Sequence, residues 1–295
     1  MSSVKKGILL AGGTGSRLYP LTRSINKHLL PIFDKPMIYY PLSSLMLADI
    51  REILIVTSPE ARDDLESLLG DGDRFGISLS YVIQSEPKGL SDALMLGAEF
   101  VDGKSFALIL GDNVFFSSGF TGLMNQIFGP EQTNRAAIIS KNVRDPERFG
   151  VIEFAPDGKV LSIVEKPSSP PSNRIVSGLY RLPGDAPLRA MELRPSARGE
   201  VEITDLLCSY INQQDCLEEY GLPRGSVWFD AGTTEAINEA SLFVESYQKA
   251  SGSMVGAPEE IALSRGWINF DLVEKSLTKS QQSSLYFQYL RSQNA

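Results

Sequence analysis

The residues best suited by type and spacing to do chemistry lie in Leu9-Leu10-Ala11-Gly12-Gly13-Thr14-Gly15-Ser16-Arg17-Leu18. An apolar run leads straight into a glycine-rich turn, where backbone N–H groups can approach an anion without obstruction by Cβ. Arg17 adds a fixed, multidentate cation suited to phosphate. Ten residues further on, Lys27 precedes Leu29-Leu30-Pro31. A lone Gly-x-Gly is often only a turn, but two cations flanking one are more than a turn requires. The dinucleotide fingerprint needs a third glycine, which is missing here because Arg17 follows Gly15 after one residue. No Walker Gly-Lys-Ser/Thr follows either. The chemistry indicated is phosphate binding.

Two carboxylates sit where apolar runs end: Asp112 in Leu108-Ile109-Leu110-Gly111-Asp112-Asn113, and Asp230 in Val227-Trp228-Phe229-Asp230-Ala231-Gly232. Ligands of open α/β sheets bind at the carboxyl ends of strands. Each aspartate alone reads more readily as a helix cap or Asx turn. Beside a phosphate loop, the two together suggest oxygen ligands for Mg2+ bridging phosphates. Glu165-Lys166-Pro167, Gln84 with Pro87-Lys88-Gly89-Leu90, and Arg198-Gly199-Glu200 are individually uninformative. Other chemistries are excluded or nearly so. His28 is the only histidine, and Cys208 and Cys216 have no histidine near them. That disfavours a zinc site, a Ser-His-Asp triad and a Cys-His dyad. A formal charge of −8 argues against nucleic-acid binding, which needs a basic footprint. The longest apolar runs are too short for a membrane span, and two cysteines in 295 residues look like reduced thiols of a cytoplasmic protein.

The elements that must position these groups follow from periodicity. Apolar, β-branched runs predict strands at Gly7–Ala11, Glu52–Val56, Leu79–Ile83, Phe106–Leu110, Ala137–Ser140, Val151–Phe154, Val160–Val164, Ile175–Leu182 and Val227–Phe229. Several are apolar on both faces, as strands between helix layers should be. Helices are expected at Pro59–Leu69, capped by Ser58, and at Leu90–Val101, Glu202–Gln213 and Thr233–Ala250. This alternation predicts an α/β layered sheet with parallel pairings. Ala155-Pro156-Asp157-Gly158 predicts a hairpin turn within Phe149–Pro167, which makes the sheet mixed. Beyond Ala250 only helices are expected, at Pro258–Leu263, Phe270–Thr278 and Gln281–Arg291. We therefore divide the chain into residues 1–250 and a helical appendix, 251–295, packed on that domain or at a subunit interface.

The motifs taken together resemble the glucose-1-phosphate thymidylyltransferases, a family of sugar nucleotidyltransferases. The resemblance is carried by residues 12–22 (GGTGSRLYPLT), Lys27 with 29–32 (LLPI), 34–43 (DKPMIYYPLS), 68–72 (LLGDG), Gly111-Asp112-Asn113, Asp145-Pro146-Glu147-Arg148, Glu165-Lys166-Pro167, 194–200 (RPSARGE), Glu202-Ile203-Thr204-Asp205 and 258–262 (PEEIA). It covers nearly the whole chain in order. It implies a three-layer α/β/α fold with a mixed, mostly parallel central sheet, Rossmann-like, plus C-terminal helices. It implies that Gly12, Gly13, Thr14, Gly15, Ser16 and Arg17 cradle the triphosphate of dTTP, with Lys27 at the α-phosphate. Arg17 and Lys27 would be the catalytic cations. Gln84 and Gly89 would hold the thymine, and Asp112 and Asp230 would hold Mg2+. Asn113, Gly150, Glu165, Lys166, Val176 and Arg198 would line the pocket for glucose 1-phosphate.

The implied reaction is attack of glucose 1-phosphate on the α-phosphorus of dTTP, releasing pyrophosphate and dTDP-glucose. The implied assembly is a homotetramer. Several positions depart from the family pattern. Phe149 stands for a usual Tyr, His28 for a Gln, and Ser91-Asp92 for Ala-Gln. Val114-Phe115-Phe116-Ser117-Ser118 replaces a Phe-Tyr-Gly-His segment at the family's regulatory site for dTDP-rhamnose. A nicotinamide oxidoreductase and a catalytically silent sugar-nucleotide sensor are the rival readings. The first is disfavoured by the missing glycine, the second by the intact Arg17, Lys27, Asp112 and Asp230.

Overall fold

A computed structural model describes residues 4–294 apart from 87–88, 130–134, 195, 197–200 and 214–215. Its strands, in chain order, are β1 (Lys6–Ala11), β2 (Pro31–Ile32), β3 (Lys35–Pro36), β4 (Glu52–Thr57), β5 (Ser78–Ile83), β6 (Phe106–Leu110), β7 (Asn113–Phe116), β8 (Ala136–Asn142), β9 (Gly150–Phe154), β10 (Val160–Glu165), β11 (Arg174–Leu182), β12 (Leu217–Gly221) and β13 (Val227–Asp230). The main sheet runs β10-β9-β11-β6-β1-β4-β5, with β8 also joined to β11 and β12 to β8. The pairs β6-β1, β1-β4, β4-β5 and β8-β12 are parallel. Those made by β11, and the hairpin β9-β10, are antiparallel. The expected turn is present, with Ala155 N donating to the Lys159 carbonyl and Gly158 at φ +86°.

Period-two alternation explains the layers. Leu9 and Ala11 of β1, Ile53 and Ile55 of β4, and Ala107 and Ile109 of β6 face one core. Ile8, Leu54, Val56, Phe106 and Leu108 face the other. Helices Tyr39–Leu47, Arg62–Leu69 and Phe120–Phe128 cover the first face. Helices Leu90–Leu96, Ala186–Glu192 and Ile203–Ile211 cover the second. The result is the three-layer α/β/α arrangement around a mixed, mostly parallel sheet. Ala262 of the C-terminal helix Pro258–Ser264 belongs to the first core, with Ile261, Trp267 and Ile268 packed against it. The last helix buries Phe287 and Leu290 against Val273.

Several expected elements are corrected. The helix predicted from Pro59 begins at Arg62, and no side chain caps it. Residues 58–61 instead form a turn in which Ala61 N donates to the Ser58 carbonyl. The segment Leu90–Val101 is two short helices that meet at Gly97. A Cβ there would stand 2.6 Å from Ile8 Cδ1, so the glycine lets the chain press close onto β1. Gln281–Arg291 is a 3-10 turn followed by helix Leu285–Gln293, because Ser284 accepts from Phe287 N and caps a fresh start. Phe270–Thr278 ends at Lys275. Helices Tyr39–Leu47, Phe120–Phe128 and Ala186–Glu192 and strands β2, β3, β7 and β12 are additions to the expected set.

Candidate active site

The glycine loop leaves the carboxyl end of β1, and Gly15 takes the left-handed conformation at φ +64° that a residue with Cβ rarely adopts. Thr22 Oγ1 donates to the Gly15 carbonyl (2.9 Å), which pins the loop to the segment carrying Lys27. Lys27 opens a 3-10 turn capped by Asn26, whose Oδ1 accepts from His28 N. The same Oδ1 lies 2.8 Å from His28 Nδ1. Burial brings the His28 imidazole down to about 3, with the charge of Lys27 adding to the effect and Asp112 opposing it. His28 is therefore a neutral packing residue under the site.

Asp112 leaves β6 at its carboxyl end, and Asp230 ends β13. The antiparallel pairing of β13 with β7 sets Asp230 opposite Asn113, and Ala231 N donates to the Asp112 carbonyl (2.9 Å). The two carboxylates thus share one corner. Lys27 Nζ reaches Asp112 Oδ2 at 2.5 Å, both side chains being mostly buried. Arg17, largely exposed, stands 4.0 Å from Asp230. Burial alone would raise the Asp112 carboxyl, but Lys27, His28 and the Asn113 amide together hold it down at about 2. Asp230 lacks so close a cation. Burial and the neighbouring Asp112 push its carboxyl above the usual range, against Arg17, Lys27 and Arg148.

Two clefts meet at this corner. One, of about 290 Å³, is lined by Gly12, Gly13, Lys27, Gln84, Gly89 and Asp112 among others. The second, of about 450 Å³, takes in Arg17, Asp112, Asn113, Gly150, Glu165, Lys166, Val176 and Asp230. Leu110 and Asp112 border both. Thr14 lies in a further cleft with Gly12, Gly13 and Asn26. Ser16 begins the 3-10 turn that carries Arg17. Arg198 lies outside the described residues, as do Pro87 and Lys88. Gln84, Gly89 and Asp112 therefore face one cleft and the expected sugar-phosphate set, apart from Arg198, faces the other.

Sequence reasoning missed further residues of the second cleft: Arg148, Gly178, Tyr180, Thr204 and Trp228. Trp228 Nε1 donates to Asn113 Oδ1 (2.6 Å), and Asn113 Nδ2 in turn donates to Asp112 Oδ1 (3.0 Å). Among the described residues no hydrogen-bond partner reaches the buried Thr204 Oγ1. The motifs holding Arg148 and Thr204 were visible in the sequence, but nothing local said that those members faced the site.

A glycine loop with two cations, two strand-end carboxylates at one corner, and a cleft on either side define a nucleotidyltransferase. The comparisons agree: the model of the nucleotidyl transferase family matches residues 6–247, and the chain belongs to that family. Several curated relatives carry the name glucose-1-phosphate thymidylyltransferase. The one from Xanthomonas campestris pv. campestris is 48% identical over 92% of this chain and 91% of its own length. That from Neisseria meningitidis is 46% identical over 97% of this chain and 98% of its own length. A crystal structure of a Bacillus anthracis protein assigned as the same enzyme, in complex with sucrose, superposes with a TM-score of 0.74. It is 39% identical and covers 81% of this chain and 94% of its own. A UDP-glucose pyrophosphorylase complexed with UDP-glucose gives a TM-score of 0.70 at 28% identity, covering 84% of this chain and 99% of its own.

Proposed function

We propose that this enzyme transfers a thymidylyl group from dTTP to glucose 1-phosphate, giving dTDP-glucose and pyrophosphate. The observation that carries the reading is the meeting of the two clefts at Asp112, with Lys27 on the nucleotide side and Arg17 and Asp230 on the sugar-phosphate side. The nucleophile is already a phosphate dianion, so no general base is required. That accords with His28 being buried and neutral. The protein's task is then to place the two phosphates in line and to offset charge on the α-phosphate, which Lys27 and Arg17 are placed to do.

Asp112 and Asp230 fit a hard divalent cation. Both are carboxylates at one corner, and the charge of Asp112 helps to raise the Asp230 carboxyl. Mg2+ is commonly held by one or two carboxylates with water and phosphate oxygens completing the shell, so a larger acidic cluster is not needed. Asp112 and Asp230 would hold Mg2+, which would supply positive charge to offset that of the phosphates. We further infer a homotetramer, which accords with the exposure of Leu272 and Leu285 on the C-terminal helices. A cytoplasmic location accords with the free thiols Cys208 and Cys216. A matrix of nucleoside triphosphates against sugar 1-phosphates, read by pyrophosphate release with Mg2+, tests the assignment. The dTTP and glucose 1-phosphate pair is expected to give the highest kcat/KM. A higher value for UTP or another hexose phosphate would overturn that specificity.

A further inference from the structure

Gln84 follows β5 directly, its backbone N–H donating to the Thr57 carbonyl, and its side chain enters the nucleotide cleft. Its amide nitrogen makes two hydrogen bonds, to the Gly89 carbonyl (3.1 Å) and to Asp92 Oδ2 (2.9 Å). A carbonyl and a carboxylate are both acceptors, so only the NH2 end of the amide can face them. The oxygen must then point the other way. A Cβ built on Gly12 would stand 3.2 Å from Gln84 Oε1, which places that oxygen beside the glycine loop. Among the described residues no donor reaches it. Asp92 is half-buried in the first turn of helix Leu90–Leu96 and does not itself line the cleft.

We propose that Asp92 is a positioning residue that locks the Gln84 amide with its oxygen toward the base, so that the site reads an N–H at N3 of a pyrimidine. This inference rests on the nucleotide reading given above. Thymine and uracil carry a hydrogen at N3 and can donate to Gln84 Oε1. Cytosine carries a lone pair at N3 and meets the oxygen as acceptor against acceptor. Without the carboxylate, only the Gly89 carbonyl restrains the amide. It can then turn and give its NH2 to cytosine. The 5-methyl group, which separates thymine from uracil, is not read by this contact.

The test compares kcat/KM for dTTP, dUTP and dCTP, each with glucose 1-phosphate, in the wild type, Asp92→Ala and Asp92→Leu. Both substitutions suit a helix, and the leucine keeps the branching at Cγ while removing the acceptor. The dTTP-to-dCTP ratio is expected to fall about tenfold in both variants, the size of one misdirected hydrogen bond. The dTTP-to-dUTP ratio should stay within about twofold, since both bases present the same N3 hydrogen. A merely structural role would lower all three substrates in parallel and leave both ratios unchanged. Unchanged ratios in variants that still turn over dTTP would overturn the proposal. Failure of the wild type to use dTTP would instead overturn the function on which it rests.

Discussion

Replacing Lys27 with alanine should separate catalysis from binding. Lys27 Nζ lies 2.5 Å from Asp112 Oδ2, and the side chains are only 13% and 12% exposed. Its ammonium therefore acts in a poorly solvated corner, where a fixed charge counts for more than in water. Loss of one preorganised charge-stabilising group typically costs about 10²–10³ in kcat, or roughly 2.7–4 kcal/mol. We expect that loss in Lys27→Ala, with a much smaller rise in KM for dTTP, because the charge is needed mainly as the transition state forms. A second effect comes through Asp112. Without Lys27 its carboxyl is no longer held at about 2 and rises under the burial that already favours the neutral form. Breaking a fully buried pair costs about 3–5 kcal/mol. Residual exposure and the option of protonation should reduce this to roughly 1–2 kcal/mol, a drop of a few degrees in Tm. Steady-state pyrophosphate release gives kcat and KM, and a thermal melt confirms that the variant is folded. A change confined to KM, or a loss of kcat smaller than tenfold in a folded variant, would refute the catalytic role of Lys27.

The other predictions address the metal corner, the buried histidine, regulation and assembly. Asp112→Asn and Asp230→Asn should each nearly abolish turnover with the fold intact by circular dichroism, since each removes a charged ligand for a hard cation. Near-normal activity of either with Mg2+ would sink the metal assignment. His28 stays neutral in the folded protein down to about 3, whereas the unfolded chain takes up a proton near 6.5. Unfolding therefore binds a proton between these values, and stability is lost as the pH falls below 6.5, by about 2 kcal/mol at pH 5. Urea melts of His28→Gln, whose amide can still bond Asn26, should show a shallower decline over that range, and identical slopes would exclude His28 as the source. Phe116 and Ser117 line a separate cavity of about 260 Å³ with Tyr40, Gly256 and Glu260. Lacking the expected Tyr, Gly and His there, the enzyme should be only weakly inhibited by dTDP-rhamnose; micromolar binding non-competitive with dTTP, measured by calorimetry, would contradict this. Light scattering should give a tetramer, and a monomer at micromolar concentration would count against it.

Local chemistry and periodicity made part of this protein legible without coordinates. A glycine run after a buried strand, with Arg17 two residues beyond Gly15, announces a phosphate loop because the demands are met within a single turn. Strands β1, β4 and β6 are legible because two buried faces leave an unbroken apolar run. The helix Tyr39–Leu47 is not, because Tyr39 through Met46 are all buried and no polar face marks its period. The polar β12 is hidden for the opposite reason: Glu218 and Glu219 face Arg181 and Arg174 in ion pairs that no local pattern reveals. What tertiary structure alone decided is which distant residues share the corner. Pairing of β13 with β7 brings Asp230 beside Asp112 and hands Trp228 to Asn113. The register of two strands far apart in the chain is fixed by packing, not by either segment. The turn of the Gln84 amide was decided in the same way. The sequence shows a glutamine and an aspartate, but only the fold sets Asp92 and the Gly89 carbonyl on the same nitrogen, and so turns the amide oxygen away from both.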